Sequence, residues 1–196
     1  MKIILSSNSN TRKKILTNTG IKFDQKRPLI DENKLKTKLL LKKINPRKIC
    51  QTLAREKSLS NSIKFPQSFC IGTDSCLIFN NKFLSKPFSK KEAKKVLVML
   101  NGKYHTLYSS IFIAKNGKKM WSYNDEAILK LHKFSNKDMN LYIKKLNISN
   151  MKSSGLYQIE KIGITLFEKI EGNFFTILGL PIVPLLNFLR KKNAWK

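Results

Sequence analysis

The chain alternates short apolar runs with amphipathic stretches, an order typical of α/β proteins. Apolar or alternating runs predict strands at 2–5, 69–79, 104–114, 120–131 and 162–170. Helical periodicity and capping signals predict helices at 10–19, 45–59, 89–101 and 135–146, and a final helix from about 181 to 190. The pattern therefore predicts a single α/β domain over 1–196, with a mixed twisted sheet flanked by helices.

Glycine, proline and asparagine mark the ends of these elements. Gly20 follows the first helix at a position typical of a C-terminal cap. Asn45-Pro46 is a good pair for the start of the second helix. Asn80-Asn81 predicts a turn into a short strand, and Asn116-Gly117 predicts a hairpin.

Three segments have less regular patterns. We expect residues 24–33 to be extended and to carry the acidic pair Asp31-Glu32, while the basic segment 34–43 is ambiguous. The longest apolar stretch, 174–189, is broken by a glycine and two prolines, and predicts a buried strand, a turn and a helix. It is too short to span a bilayer, so no membrane segment is expected.

The net charge of +27, from 39 basic and 12 acidic residues, changes the picture less than its size suggests. Such basicity favours phosphate-rich partners, either nucleotides or nucleic acid. The basic residues are spread along the whole chain, however, and do not alternate with aromatic residues as in an RNA-binding sheet. We therefore expect nonspecific nucleic-acid binding at low salt at most, and each of the few acids becomes informative.

Cysteine and histidine give no catalytic signal. The chain has an odd number of cysteines, and they lack the spacing of a metal-binding motif: Cys50, Cys70 and Cys76. They fit buried thiols in a reducing compartment, and MKIILSSNSN does not resemble a secretory signal, so a cytoplasmic protein is expected. His105 and His132 are expected to be strand or surface residues.

The turn between the first strand and the first helix is a candidate anion site. Free backbone N–H groups and the helix dipole favour an anion there, and Ser9 and Arg12 add donors. The alternative is that Ser9 or Asn10 only caps the helix and that Arg12 is solvated. Local sequence favours neither interpretation.

A second candidate site lies in the Ile71–Ser75 segment. Asp74 ends an apolar strand, where open α/β sheets hold catalytic groups. Its carboxylate could hold a divalent metal or orient a water, or it could simply cap a turn. Lys86, fixed before Pro87, could reach a phosphate as a point charge, although one lysine among so many carries little weight alone.

Seven ordered segments together resemble the Maf family of nucleotide pyrophosphatases. They are LSSNSNTRKKIL, the pair Asp31-Glu32, LAREK ending at Lys57, IGTDS around Asp74, LSKP at Lys86, EAKKVLVMLNGKYHT and SSGLYQIEKIGITLFEKIEGNFFTILGLP. Each is weak alone, but their order and spacing are specific. The resemblance implies two lobes around a central cleft, a fold related to inosine-triphosphate pyrophosphatases. It also implies hydrolysis of a nucleoside triphosphate to the monophosphate and pyrophosphate with Mg²⁺ or Mn²⁺, and makes a homodimer plausible.

The resemblance also assigns roles to residues. Phosphate contacts are expected from Ser9, Arg12, Lys13, Lys57 and Lys86, metal binding from Glu32 and Asp74, and base recognition from Thr11, Ser75 and Glu160. Among them, the catalytic residues are expected to be Asp74, as the proton acceptor, with Glu32, Lys57 and Lys86. Basic side chains with a metal on a few carboxylates suit a triphosphate, because its hydrolysis depends on positioning and charge neutralisation.

The sequence departs from the family pattern at a few positions. Asn10 stands where proline is usual, Lys13 is the second of the paired basic residues, and Lys161 stands where glycine is common. Glu160 replaces the glutamine of members that prefer pyrimidine nucleotides. A carboxylate only accepts hydrogen bonds, so it suits a base edge rich in N–H donors, such as guanine or 7-methylguanine. We therefore expect 7-methyl-GTP or a related nucleotide as substrate.

Two alternatives remain open on the sequence alone. One is a dTTP or UTP pyrophosphatase. The other is a basic nucleic-acid-binding or cell-division regulatory protein on a degenerate scaffold of the same family.

Overall fold

The computed structural model describes residues 2–146, 157 and 159–194. The strands are β1 (Lys2–Ser6), β2 (Asp24–Lys26), β3 (Ser68–Phe79), β4 (Lys82–Leu84), β5 (Tyr104–Lys115), β6 (Lys118–Leu131) and β7 (Phe167–Glu171). The helices are α1 (Asn10–Thr17), α2 (Glu32–Leu41), α3 (Pro46–Lys64), α4 (Lys90–Leu100), α5 (Asn136–Lys145), α6 (Phe174–Ile177) and α7 (Ile182–Lys191), with a 3-10 turn at Ile162–Leu166.

The seven strands form one mixed sheet, which confirms the predicted fold class. Six of them lie in the order β2-β1-β3-β5-β6-β7, and β4 pairs with β3. β1 runs parallel to β2 and β3, while the remaining pairs are antiparallel. The long β5–β6 hairpin turns at Asn116-Gly117, as the sequence predicts.

The two larger apolar cores of the described residues lie at opposite ends of the long strands. The first contains Ile3, Leu5, Leu16, Ile71, Ile111, Leu185 and Leu189, from β1, α1, α7 and neighbouring parts of β3 and β5. The second contains Leu97, Leu100, Leu129, Leu131, Met139 and Leu166, from α4, α5 and the far end of the hairpin. Leu178 packs against both cores, so the segment after α6 joins the two halves of the molecule.

Close packing of α3 on β3 fixes the centre of the molecule. A Cβ atom on Gly72 of β3 would lie 2.1 Å from the Ala54 carbonyl oxygen and 2.5 Å from the Ser58 nitrogen. Only glycine therefore allows α3 to approach the strand this closely. The Ser58 hydroxyl strengthens the contact by donating to the Cys70 carbonyl at 2.6 Å.

The structure corrects the predicted elements in three places. The extended segment predicted for 24–33 is wrong at its end: β2 stops at Lys26, Asp31 is the N-cap of α2, and this helix takes in Glu32, Asn33 and most of the ambiguous 34–43 segment. The strand predicted at 162–170 begins only at Phe167, after the 3-10 turn. The strand predicted at the start of 174–189 is a short helix instead, because the Asn173 side chain caps the Phe175 N–H at 2.8 Å.

Other elements shift only at their ends. α3 runs to Lys64 rather than to 59, and α1 ends at Thr17. None of the described helices has the length and apolar character needed to cross a bilayer. Part of the SSGLYQIE motif, at 153–156 and 158, lies outside the described residues.

Candidate active site

A cleft of about 930 Å³ opens between α2 and the face formed by α3, β3 and the α1 turn. Most of the residues predicted for the site line this cleft: Ser9, Thr11, Arg12, Glu32, Lys57, Asp74, Ser75, Lys86 and Glu160. Lys13 is exposed and does not line the cleft, whereas its neighbour Lys14 does. Segments from both ends of the chain therefore meet around one space.

Lys57 is the centre of the polar end of the cleft. Its side chain is only 5% exposed, and its Nζ lies 2.8 Å from Asp74 Oδ1 and 2.6 Å from Glu32 Oε2. The Gly72 contact brings α3 onto β3 beside Asp74, and the first turn of α2 carries Glu32. One ammonium group thus holds together carboxylates from two different elements.

Arg12 connects the opening turn to the last part of the chain. Its Nε donates to the Gly179 carbonyl at 2.9 Å, Nη1 to the Thr73 carbonyl at 3.1 Å, and Nη2 to Ser75 Oγ at 2.8 Å. Burial lowers the pKa of Arg12, and the nearby Asp74 opposes this shift, so the guanidinium keeps its charge. Because Nη1 and Nη2 each carry a second N–H, Arg12 can brace the site and also face a ligand.

Gly179 is required where Arg12 reaches the end of the chain. Its φ is +90°, and a Cβ atom there would lie 2.6 Å from Ser75 Oγ and 3.2 Å from the Arg12 guanidinium. The glycine thus opens the space in which Arg12 and Ser75 meet its backbone.

A hydroxyl network that the sequence did not reveal supports Ser75. Ser109 Oγ lies 3.0 Å from Ser75 Oγ and donates to the Thr176 carbonyl at 2.7 Å. Thr73 Oγ1 donates to the Gly179 carbonyl at 2.9 Å. Isolated serines and threonines carry no sequence signal for such a network, which orders β3 against the segment after α6.

The turn before α1 caps the helix and adjoins the cleft, and Arg12 is bonded to the protein rather than solvated. Ser9 caps the helix by accepting from the Arg12 N–H at 3.4 Å, and Ser7 Oγ accepts from the Ser9 N–H at 3.2 Å. Ser9, Asn10 and Thr11 also line the cleft, so the N-terminus of α1 adjoins it. A helix N-terminus beside this cleft favours an anion.

Two further lysines contribute positive charge. Lys86 lines the cleft although the residue is largely exposed, and dehydration together with Arg12 lowers its pKa to about 8 against the opposing effect of Asp74. Lys36 of α2, which the sequence analysis missed, also lines the cleft. Its one available signal is a spacing of four residues from Glu32, which places both on one face of a helix.

The other end of the cleft is apolar. Leu77, Leu84, Leu107, Tyr157 and Ile159 line it, with Glu160 at its edge. The Tyr157 hydroxyl lies 3.0 Å from His105 Nε2, and burial lowers the pKa of His105 to about 4, so this ring is neutral. His105 is a buried strand residue and His132 is exposed, as expected. The cleft can therefore take a ligand with one charged and one apolar end.

The carboxylates fit a metal that binds together with the substrate. Among the described residues, no group of three or more His, Cys, Asp or Glu side chains could hold a metal ion. Glu32 and Asp74 each give one oxygen to Lys57 and retain a second oxygen. Mg²⁺ commonly uses one or two carboxylates and completes its shell with waters and phosphate oxygens, which suits this donor set.

Comparison with known proteins identifies relatives that span nearly the whole chain. Residues 2–192 match the Maf-like protein family. The chain is 38% identical to a nucleoside triphosphate pyrophosphatase of Caulobacter vibrioides, over 98% of this chain and 96% of that protein. It is 34% identical to a 7-methyl-GTP pyrophosphatase of Brucella abortus, over 99% and 98% of the two chains. Among solved structures, the Staphylococcus aureus Ham1 protein matches with a TM-score of 0.40 and 11% identity, over 67% of this chain and 72% of that one.

Proposed function

This chain belongs to the Maf family, and we propose that it cleaves the α–β phosphoanhydride bond of a nucleoside triphosphate. As a member it is a nucleoside triphosphate pyrophosphatase, a hydrolase acting on phosphoanhydride bonds. The observation that carries the α–β assignment is the Glu32–Lys57–Asp74 cluster at the polar end of the cleft. With the apolar end taking the nucleoside, the cluster stands where the phosphate nearest the sugar would lie.

Asp74 is proposed as the proton acceptor for the attacking water. Its Oδ1 accepts from Lys57, which orients the carboxylate so that it can accept the proton of a water. A divalent cation held by Glu32 and Asp74 would neutralise phosphate charge and favour ionisation of that water. Lys57 fixes the spacing of the two carboxylates throughout.

Arg12 and Lys86 are proposed to hold the phosphate chain. The rigid three-bond attachment of Arg12 keeps its remaining N–H groups in place, which is the positioning that phosphoryl transfer requires. Lys86 adds a point charge from the segment after β4. The pyrophosphate leaves with the electrons of the broken P–O bond, and these cations stabilise its charge.

We propose 7-methyl-GTP or a related guanine nucleotide as the substrate. Glu160 lines the cleft and follows Ile159 of the apolar end, and its carboxylate can accept from the N–H groups of a guanine edge. The name of the Brucella relative supports the choice, whereas the Caulobacter relative carries only the general name.

The three free, buried cysteines support a reducing, cytoplasmic location.

A panel of triphosphates with Mg²⁺ or Mn²⁺, assayed on the wild type and on Glu160→Gln, tests this choice. We expect wild-type kcat/KM to be highest for 7-methyl-GTP or GTP, and the glutamine variant to shift the ratio toward dTTP or UTP by about tenfold or more. Thr165→Ser is a control, because this exposed residue lies outside the cleft lining. A wild type that prefers pyrimidine nucleotides would refute the base assignment but would leave the proposed α–β cleavage unaffected.

A further inference from the structure

Lys36 is a cleft residue that lies outside the seven sequence segments that carry the family resemblance. Its side chain reaches from α2 to the opposite side of the cleft, which is formed by β4 and the loop after it. Nζ lies 4.3 Å from the centre of the Phe83 ring and 3.3 Å from Ser85 Oγ. These contacts fix the position of a positive charge at the mouth of the cleft.

The charge of Lys36 has no negative partner among the residues that the structure describes. Phe83 offers a ring face and Ser85 a hydroxyl, and neither is an anion. The carboxylates of Glu32 and Asp74 form their salt bridges with Lys57. Burial in the cleft lowers the pKa of Lys36, and the field of Asp74 opposes that effect. A partly dehydrated ammonium without a counter-charge is stabilised when an anionic ligand arrives.

The distribution of charge in the cleft indicates which anionic group of a ligand would pair with Lys36. Lys57 is already neutralised by two carboxylates, so Arg12, Lys36 and Lys86 are among the cleft cations that can balance the charge of a triphosphate beside the proposed metal. Most of the negative charge of a triphosphate lies on its β- and γ-phosphates, which leave together as pyrophosphate. Lys36 also follows Glu32 by one helical turn, so it faces the same space as the acidic cluster.

We propose that Lys36 binds the β- and γ-phosphates of the substrate and stays in contact with the pyrophosphate product. The inference rests on the proposed function, because it presupposes a triphosphate in this cleft. When phosphate oxygens replace the Ser85 hydroxyl as partners, the Phe83 ring can keep the ammonium in position. Lys36 is thus a substrate-contacting residue that acts on binding of the charged end rather than on proton transfer.

The test compares wild type, Lys36→Met, Lys36→Arg and the control Lys38→Met. Lys38 lies on the same helix, is exposed and does not line the cleft, so its variant removes the same charge from the same element. The quantities measured are KM and kcat for the best triphosphate, the inhibition constant of inorganic pyrophosphate, and that of the nucleoside monophosphate product. Thermal unfolding of each variant checks that it is folded.

We expect Lys36→Met to raise KM and the pyrophosphate inhibition constant by about tenfold, the usual effect of losing a charged hydrogen bond. The change in kcat should stay below about threefold, and monophosphate inhibition should not change, because the monophosphate lacks the β- and γ-phosphates. Lys36→Arg should restore most of the pyrophosphate affinity, and Lys38→Met should match the wild type.

Three results would overturn the assignment of Lys36. They are a Lys36→Met variant that binds pyrophosphate like Lys38→Met, a loss that is equal for monophosphate and pyrophosphate, and a wild type that pyrophosphate does not inhibit. The second result would mean that Lys36 only tethers α2 to β4. Failure of the proposed function is separate, because it would appear as a wild type without turnover of any triphosphate.

Discussion

The two walls of the cleft are held in place by different forces. α3 buries nine of its 19 residues against the sheet, among them Ile49, Leu53 and Ala54, while α2 buries none of its ten. The wall of α3 and β3 is thus part of the core. The wall of α2 adjoins that core mainly through polar side chains.

The salt bridge and the side-chain hydrogen bond that the structure shows from α2 to other elements come from residues of the candidate site. Glu32 reaches Lys57 at 2.6 Å, and Lys36 reaches Phe83 and Ser85 across the cleft. The position of α2 therefore depends on the charges in the cleft, whereas the position of α3 does not. Packing thus preorganises Lys57 and Asp74, whereas Glu32 and Lys36 are held by electrostatic contacts with other parts of the cleft.

Gly72→Ala tests the packed wall most severely. The new Cβ would meet backbone atoms of α3 at 2.1 and 2.5 Å, so the helix must move away from β3. We expect a loss of about 3 kcal/mol or more in the free energy of unfolding, or failure to fold. Denaturant titration measures this loss. A variant of wild-type stability would show that α3 is not fixed at this contact.

Leu53→Ala and Leu40→Ala compare the two walls directly, because both side chains line the cleft. Leu53 on α3 is 3% exposed, and Leu40 on α2 is 38% exposed. We expect a loss of about 3 kcal/mol for the first and less than about 1 kcal/mol for the second. Equal losses in chemical denaturation would contradict the distinction between the walls.

Lys57→Met should cost about 2 kcal/mol, because it leaves two carboxylates without their shared partner. The figure is below that for a fully buried pair, since the Glu32 side chain is 41% exposed. Added Mg²⁺ should raise the melting temperature of this variant more than that of the wild type, by taking the place of the ammonium. The control is Lys38→Met, which removes an exposed lysine charge outside the cleft lining. No response of Lys57→Met to Mg²⁺ would argue against a metal on these carboxylates.

The smallest predicted effect is the change of KM with pH that follows from the charge of Lys86. The pKa of Lys86 is lowered to about 8 in the free cleft, so its charge is present below that pH and lost above it. If only the ammonium binds phosphate, KM should rise about tenfold between pH 7 and pH 9. Lys86→Arg, which stays charged, should remove most of this rise. A rise of the same size in the arginine variant would exclude Lys86 as its source.

The packed wall could be predicted from the sequence, and the α2 wall could not. The apolar runs of β3 and β5 and the Asn45-Pro46 start of α3 carry strong local signals, which the structure confirms. α2 has no buried face, so its pattern of lysines and leucines gives no clear period. Its start was not predicted, although Asp31 caps it by accepting from the Lys34 N–H at 2.9 Å.

The candidate site follows the same division. Arg12 stands in the first turn of α1, where the sequence already favours chemistry, whereas Asp74 lies inside β3 and not at the strand end predicted for it; the structure brings both to the cleft. Lys36 was hidden among many lysines, because only the fold shows which of them face the cleft. The Ser75–Ser109 contact joins positions far apart in the chain, so no local pattern could reveal it.

The proposed reaction cleaves the α–β bond and depends on Asp74. Both points can be measured by ³¹P NMR of the products. Wild-type protein with 7-methyl-GTP and Mg²⁺ should yield the nucleoside monophosphate and pyrophosphate. Folded Asp74→Asn should be slower by about 10³-fold or more, because it loses both the proton acceptor and a metal ligand. Release of the diphosphate and inorganic phosphate, or undiminished turnover by Asp74→Asn, would contradict the account.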